Sequence, residues 1–92
     1  MKYTIQYTPE ADQDVKALIK AGDKVVINKL YKLLIELQEH PKTGTGKPEQ
    51  LTGELAGCYS RRITVKHRLV YQIHDHVVTV VILSVEGHYN DK

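Results

Sequence analysis

Beyond its first ten residues, this 92-residue chain changes the spacing of its apolar residues once. From Ala11 to Leu37 they recur every three or four residues. From Cys58 to Val85 they alternate with polar residues or run almost unbroken. A stripe of the first kind fits one face of a helix, and a pattern of the second kind fits strands. Helices followed by a run of strands lead to an α+β arrangement in which the helical stripes cover a sheet.

The helical part carries its own punctuation. Thr8-Pro9 reads as an N-cap followed by proline at the first helical position, with Glu10 and Asp12 in the first turn. Ala11, Val15, Leu18 and Ile19 make one stripe, Gly22 stops the helix, and Asp23 caps the next. Val26, Ile27, Leu30, Leu33, Leu34 and Leu37 keep the period, while Lys29, Lys32 and Glu36 take the other face. His40-Pro41 ends the second helix, and so short a junction implies a helical hairpin.

Before the hairpin, Lys2–Thr8 alternates, with Tyr3, Ile5 and Tyr7 on one side. After it, Cys58–Thr64 and His67–Ile73 read as a β-hairpin about Val65-Lys66. His74-Asp75-His76 is the next turn and Val77–Val85 the third strand, apolar enough to be covered on both faces. The expected architecture is a single α+β domain over residues 1–92. It has an N-terminal strand, a two-helix hairpin and an antiparallel β-meander. The helices lie on one face, the first strand joins the sheet, and the other face stays partly open.

A chain of this length buries roughly 60–65% of its unfolded surface, enough for one modest core. With no Trp and no Phe, that core rests on Val, Ile, Leu and six tyrosines. Each buried tyrosine hydroxyl then needs a partner. Cys58 is the lone cysteine and cannot form an internal disulfide, which suits a reducing cytoplasm. No basic stretch leading into an apolar one opens the chain, so no signal peptide is expected. The apolar run around Val77–Leu83 is too short to span a bilayer. A cytoplasmic protein without membrane attachment is expected.

The charge is unevenly placed. Residues 1–41 balance six lysines against six acids, residues 42–71 carry six cations against Glu49 and Glu54, and residues 72–92 are net acidic. Three of the central cations are arginines, whose planar fork suits phosphate.

Lys42–Gln50 is a Gly/Pro loop, and Glu49 within it is either a solvated carboxylate or a general base. His88, beyond the last strand, is either a surface histidine or a general acid, and Tyr89 either rims the core or contacts a ligand. Arg61, Arg62 and Arg68 either hold ion pairs at a sheet rim or clamp a phosphate. If Thr64 faces His67, strict alternation sends Arg62 and Arg68 to opposite faces unless a bulge intervenes. His74-x-His76 lacks further ligands at a familiar spacing, so no metal site is expected. Gly44-x-Gly46 has no helix after it and no dinucleotide or phosphate-loop motif is present, so no cofactor is expected.

Four blocks taken together resemble the YoeB (Txe) toxins of the RelE superfamily. They are Gly46-Lys47-Pro48-Glu49-x-Leu51, Ser60-Arg61-Arg62-Ile63, His67-Arg68-Leu69-Val70-Tyr71 and His88-Tyr89. The resemblance covers nearly the whole chain. It implies a ribosome-dependent messenger-RNA endonuclease that works in the ribosomal A site without a metal. It implies a cognate YefM/Phd-type antitoxin, operator DNA reached only through the antitoxin complex, and a possible homodimer. By the same resemblance Glu49 is the general base, Arg68 stabilises the phosphate, His88 is the general acid and Tyr89 places the substrate. Lys47, Arg61 and Arg62 would add RNA- or phosphate-binding charge. Departures from the family pattern are the tail Asn90-Asp91-Lys92, Thr52 in place of a common lysine, and Cys58-Tyr59 in place of a bulkier aromatic pair. A ParE-like gyrase-targeting toxin on the same fold and a non-catalytic corepressor are the alternatives.

Overall fold

The computed structural model describes residues 2–44, 46 and 48–85. Five strands and two α-helices follow in the order β1 (Thr4–Tyr7), α1 (Pro9–Ala21), α2 (Lys24–Glu39), β2 (Glu49–Gln50), β3 (Tyr59–Arg62), β4 (Arg68–His74) and β5 (Thr79–Ser84). The strands form one sheet in the order β1-β5-β4-β3-β2. β3, β4 and β5 make the expected antiparallel meander. β1 lies parallel to β5, with Thr4 opposite Thr79 and Tyr7 opposite Ile82.

The helix boundaries fall where their local chemistry puts them. The Thr8 side chain accepts from the Ala11 N–H at 3.0 Å, and Pro9 opens α1. The same hydroxyl donates to the Leu83 carbonyl at 3.0 Å, tying the helix start to β5. Gly22 ends α1 in the left-handed region, φ 76°, and the Asp23 carboxylate accepts from the Val26 N–H to start α2. Ala11, Leu18, Val26, Leu30, Leu33 and Leu37 pack against Leu69, Tyr71, Val80 and Ile82 of the sheet. Ile19, on the expected stripe, is instead 50% exposed.

Two further expectations differ in detail. Val77 lies in a 3-10 turn with Asp75 and His76, so β5 begins only at Thr79. Within β5 the helix-facing Val80 and Ile82 are buried, whereas Val81 and Leu83 on the far face are half-buried. That far face is therefore only partly covered, and the candidate residues Glu49, Arg62 and Arg68 stand on it.

The Tyr3 hydroxyl donates to Asp75 Oδ1 at 2.6 Å, and Lys42 Nζ reaches Oδ2 at 3.4 Å. The Tyr3 hydrogen bond is the largest influence and holds the Asp75 carboxyl below its ordinary range; desolvation, next in size, opposes it, and Lys42 lowers it further. A depressed folded-state pKa stabilises above the unfolded value and is lost as pH falls through the depressed one. Asp75→Asn is accordingly expected to lower the thermal midpoint slightly at neutral pH and to match the wild type in strong acid. Thermal unfolding followed across that range checks this. An equal offset at both ends would exclude the Asp75 charge as its source.

Candidate active site

Strand pairing sorts the candidate residues between the two faces of the sheet. Glu49 pairs with Ser60, Ser60 with Val70, and Arg62 with Arg68. Alternation then puts Glu49, Ser60, Arg62 and Arg68 together on the face away from the helices. Gly46, Pro48, Glu49, Arg62 and Arg68 line a cleft of about 330 Å³ there. Glu49 was expected in a loop. It lies instead in the two-residue edge strand β2, so sheet pairing fixes the direction in which it points.

The arginine pairing depends on one irregularity. Thr64 does face His67, exchanging N–H···O bonds of 3.2 and 3.3 Å. The Ile63 N–H also donates to the His67 carbonyl, at 2.9 Å, so two residues of one strand stand against one of the other. Such a bulge inserts an extra residue and reverses the facing of the residues beyond it. It brings Arg62 opposite Arg68, where strict alternation would have separated them. The Thr64 hydroxyl steadies the turn by accepting from the Lys66 and His67 amides.

Arg68 Nη1 donates to Glu49 Oε1 at 3.2 Å and to Ser60 Oγ at 3.4 Å. The two ion-pair side chains remain 34% and 58% exposed. Ser60 is wholly buried and aims the guanidinium at the carboxylate. Its role could not be read from sequence, because Ser60 meets Arg68 only as a diagonal cross-strand neighbour once the register is known.

Arg61 requires a correction. It was expected to bind RNA phosphate, yet it is 0% exposed and points to the helix face. Its Nε donates to the Tyr71 hydroxyl at 3.1 Å and its Nη1 to Glu36 Oε1 at 2.9 Å. Its Nη2 donates to the carbonyls of His40 and Thr43. Tyr71 in turn donates to the Pro41 carbonyl at 2.9 Å. The Tyr71 pKa is raised, chiefly by burial, with Arg61 pulling partly the other way. Adjacent residues on a strand face opposite sides, so Arg62 is exposed and Arg61 is internal.

Lys47, His88 and Tyr89 lie outside the described residues. Val85, three residues before His88, is buried, and its N–H donates to Asp14 Oδ2 of α1 at 3.1 Å. Among the described residues no three His, Cys, Asp or Glu side chains converge as metal ligands, and no helix is long and apolar enough to cross a membrane.

A two-helix hairpin on a mixed five-stranded sheet is an architecture shared with solved structures of small bacterial toxins. The YoeB/ParE toxin from Agrobacterium tumefaciens superposes with a TM-score of 0.84 at 30% identity, over 94% of this chain and 99% of that one. YoeB in its heterotetrameric complex with YefM from Staphylococcus aureus gives 0.79 at 37% identity, over 97% and 100%. The YoeB dimer from the same organism gives 0.80 at 37% identity, with the same coverage. In sequence, toxin YoeB of Mycobacterium bovis is 40% identical over 86 residues, 94% of this chain and 98% of the relative. The family model for the YoeB-like toxin of bacterial type II toxin–antitoxin systems matches residues 7–89. The chain belongs to the YoeB toxin family, and its role is that of a toxin in a type II toxin–antitoxin system.

Proposed function

We propose that the protein is a ribosome-dependent endoribonuclease that cuts messenger RNA in the ribosomal A site, in the cytoplasm, and so stops translation. The observation that carries this reading is the cross-strand pair Arg62–Arg68 facing Glu49 at one cleft. Two guanidinium groups side by side repel each other unless an anion lies between them, and a phosphodiester is such an anion.

In the free protein Arg68 pairs with Glu49. An exposed pair of this kind is worth about 0–1 kcal/mol, so an incoming phosphate can draw Arg68 away at little cost. Glu49 is then released to take the proton of the ribose 2′-OH. The resulting oxyanion attacks the neighbouring phosphorus, Arg68 and Arg62 stabilise the charge that develops, and His88 protonates the departing 5′-oxygen. Tyr89 would place the substrate and Lys47 would add charge beside it. The products are a 2′,3′-cyclic phosphate and a 5′-OH. Base, acid and cations are all side chains of the protein, so no metal or cofactor is invoked. DNA lacks the nucleophile and should be left intact.

The cognate antitoxin is expected to be of the YefM type, with an acidic and apolar segment covering Arg62, Arg68 and Lys47. Operator DNA would be bound only through that complex, and two toxin copies could pair. Primer extension on translated messenger RNA tests the activity. Added protein should produce discrete stops within the reading frame, only when ribosomes are present, and its expression without antitoxin should arrest growth. Unchanged messenger RNA and normal growth with soluble protein present would rule the nuclease out.

A further inference from the structure

Between the end of α2 at Glu39 and the start of β2 at Glu49, the described residues form neither helix nor strand. This segment leads into the site, and it contributes Gly46 and Pro48 to the cleft. A loop without regular structure holds a catalytic group in place only if its backbone is tied down. Two of its carbonyls converge on one side chain, and a third on that side chain's partner. Those of His40 and Thr43 accept from Arg61 Nη2, and that of Pro41 accepts from the Tyr71 hydroxyl, itself bound by Arg61 Nε. Glu36, near the end of α2, takes Nη1. The Gly46 carbonyl accepts from the N–H of the next residue on the strand, Arg62, at 2.7 Å.

We propose that Arg61 is a positioning residue: its buried guanidinium clamps the loop at residues 40–43 against α2 and β4, and so sets where Gly46, Pro48 and Glu49 stand relative to Arg62 and Arg68. The proposal rests on the nuclease reading for its effect on rate, but not for the clamp itself. Arg61 and Arg62 are neighbours on β3, one pointing into the knot and the other into the cleft. The same short strand therefore registers the loop on one face and the phosphate-binding charge on the other.

The loop is pressed closely against this knot. A Cβ at Gly44 would lie 2.5 Å from Glu36 Oε1 and 3.2 Å from Arg61 Nη1, and one at Gly46 would lie 2.8 Å from the Arg62 carbonyl oxygen. Both glycines also hold positive φ, at 121° and 87°. Lysine cannot replace Arg61, because an ammonium is a point donor and cannot span a phenol, a carboxylate and two carbonyls at once.

Two variants test the clamp. Tyr71→Phe removes only the hydroxyl and keeps the ring that stacks on Tyr59. Arg61→Lys keeps the charge and loses the fork. Each is measured by thermal unfolding, by hydrogen exchange of the Arg62 amide, and by single-turnover cleavage on programmed ribosomes over a range of ribosome concentrations. Tyr71→Phe is expected to unfold cooperatively and to exchange the Arg62 amide faster. Its maximal cleavage rate should fall about 10- to 100-fold with the half-saturating ribosome concentration unchanged, as for a misplaced catalytic group. Arg61→Lys should lose at least as much. Folded Tyr71→Phe with wild-type exchange and rate overturns the clamp. So does an Arg61→Lys protein that cuts at the wild-type maximal rate and is only weakened in ribosome binding, since that result marks a phosphate contact. If Arg61→Lys does not fold, Tyr71→Phe decides. If the wild type does not cut at all, the nuclease reading fails, and the exchange of the Arg62 amide alone decides the clamp.

Discussion

Arg68→Ala is expected to slow cleavage on programmed ribosomes by about 10²–10³, the usual loss when one donor aimed at developing charge is removed. Its folding stability should hardly change. The Arg68 side chain is one-third exposed, and its hydrogen bonds are long contacts to Glu49 and Ser60. An exposed ion pair of this sort contributes about 0–1 kcal/mol. Removing Arg68 also leaves Glu49 free in solvent, so the carboxylate is not trapped without a partner. Single-turnover rates and thermal midpoints measured on the same preparation check both halves. A large drop in midpoint would reassign Arg68 to the fold, and an unchanged rate would remove it from the site. Arg61→Ala, by contrast, should lose folding stability as well as rate, because its guanidinium is the polar centre of a buried network. Breaking such a network strands its partners, and the expected cost is about 3–5 kcal/mol.

The second large effect concerns the division of labour between Glu49 and His88. Glu49→Gln and His88→Ala should each bind ribosomes normally and cut about 10²–10⁴ times more slowly, the range for loss of a general base or acid. In-line attack needs a base at the 2′-oxygen and an acid at the 5′-oxygen, on opposite sides of phosphorus. The two roles separate when the leaving group is activated. A messenger with a 5′-phosphorothiolate at the scissile position expels a thiolate that needs no proton. It should restore His88→Ala and leave Glu49→Gln slow. Restoration of both variants, or of neither, would reject this assignment even if the cleft itself is the site.

How much of this was legible in the residues varies with the distance over which each feature is decided. The ends of both helices were readable because capping is local. Thr8 with Pro9, Gly22 and Asp23 each act within one turn of their own position. The apolar stripe of α2 was readable for the same reason, and Leu30, Leu33 and Leu37 are buried as expected. Tyr71 illustrates the next level. Its need for hydroxyl partners follows from its chemistry, but their identities, Arg61 and the Pro41 carbonyl, follow from the fold.

The candidate site divides along the same line. The residue types on which the proposed anion binding and proton transfer rest are visible in the chain: Glu49, Arg62 and Arg68 in the described cleft, with His88 proposed to join them. Which side of the sheet each arginine takes is not visible. A strand repeats every two residues, so one inserted residue exchanges the faces of everything beyond it. The bulge at Ile63 and Thr64 is that insertion, and it arises from two amides sharing the His67 carbonyl across the hairpin. The short strand at Glu49 is equally invisible, since two residues carry no period and become a strand only by pairing with Tyr59 and Ser60. Parallel pairing of β1 with β5 joins segments separated by most of the chain. Residue identity thus sets which elements form and what chemistry they carry. Long-range hydrogen bonding sets which side chains meet, and it sends Arg61 into the interior while Arg62, its neighbour, faces the cleft.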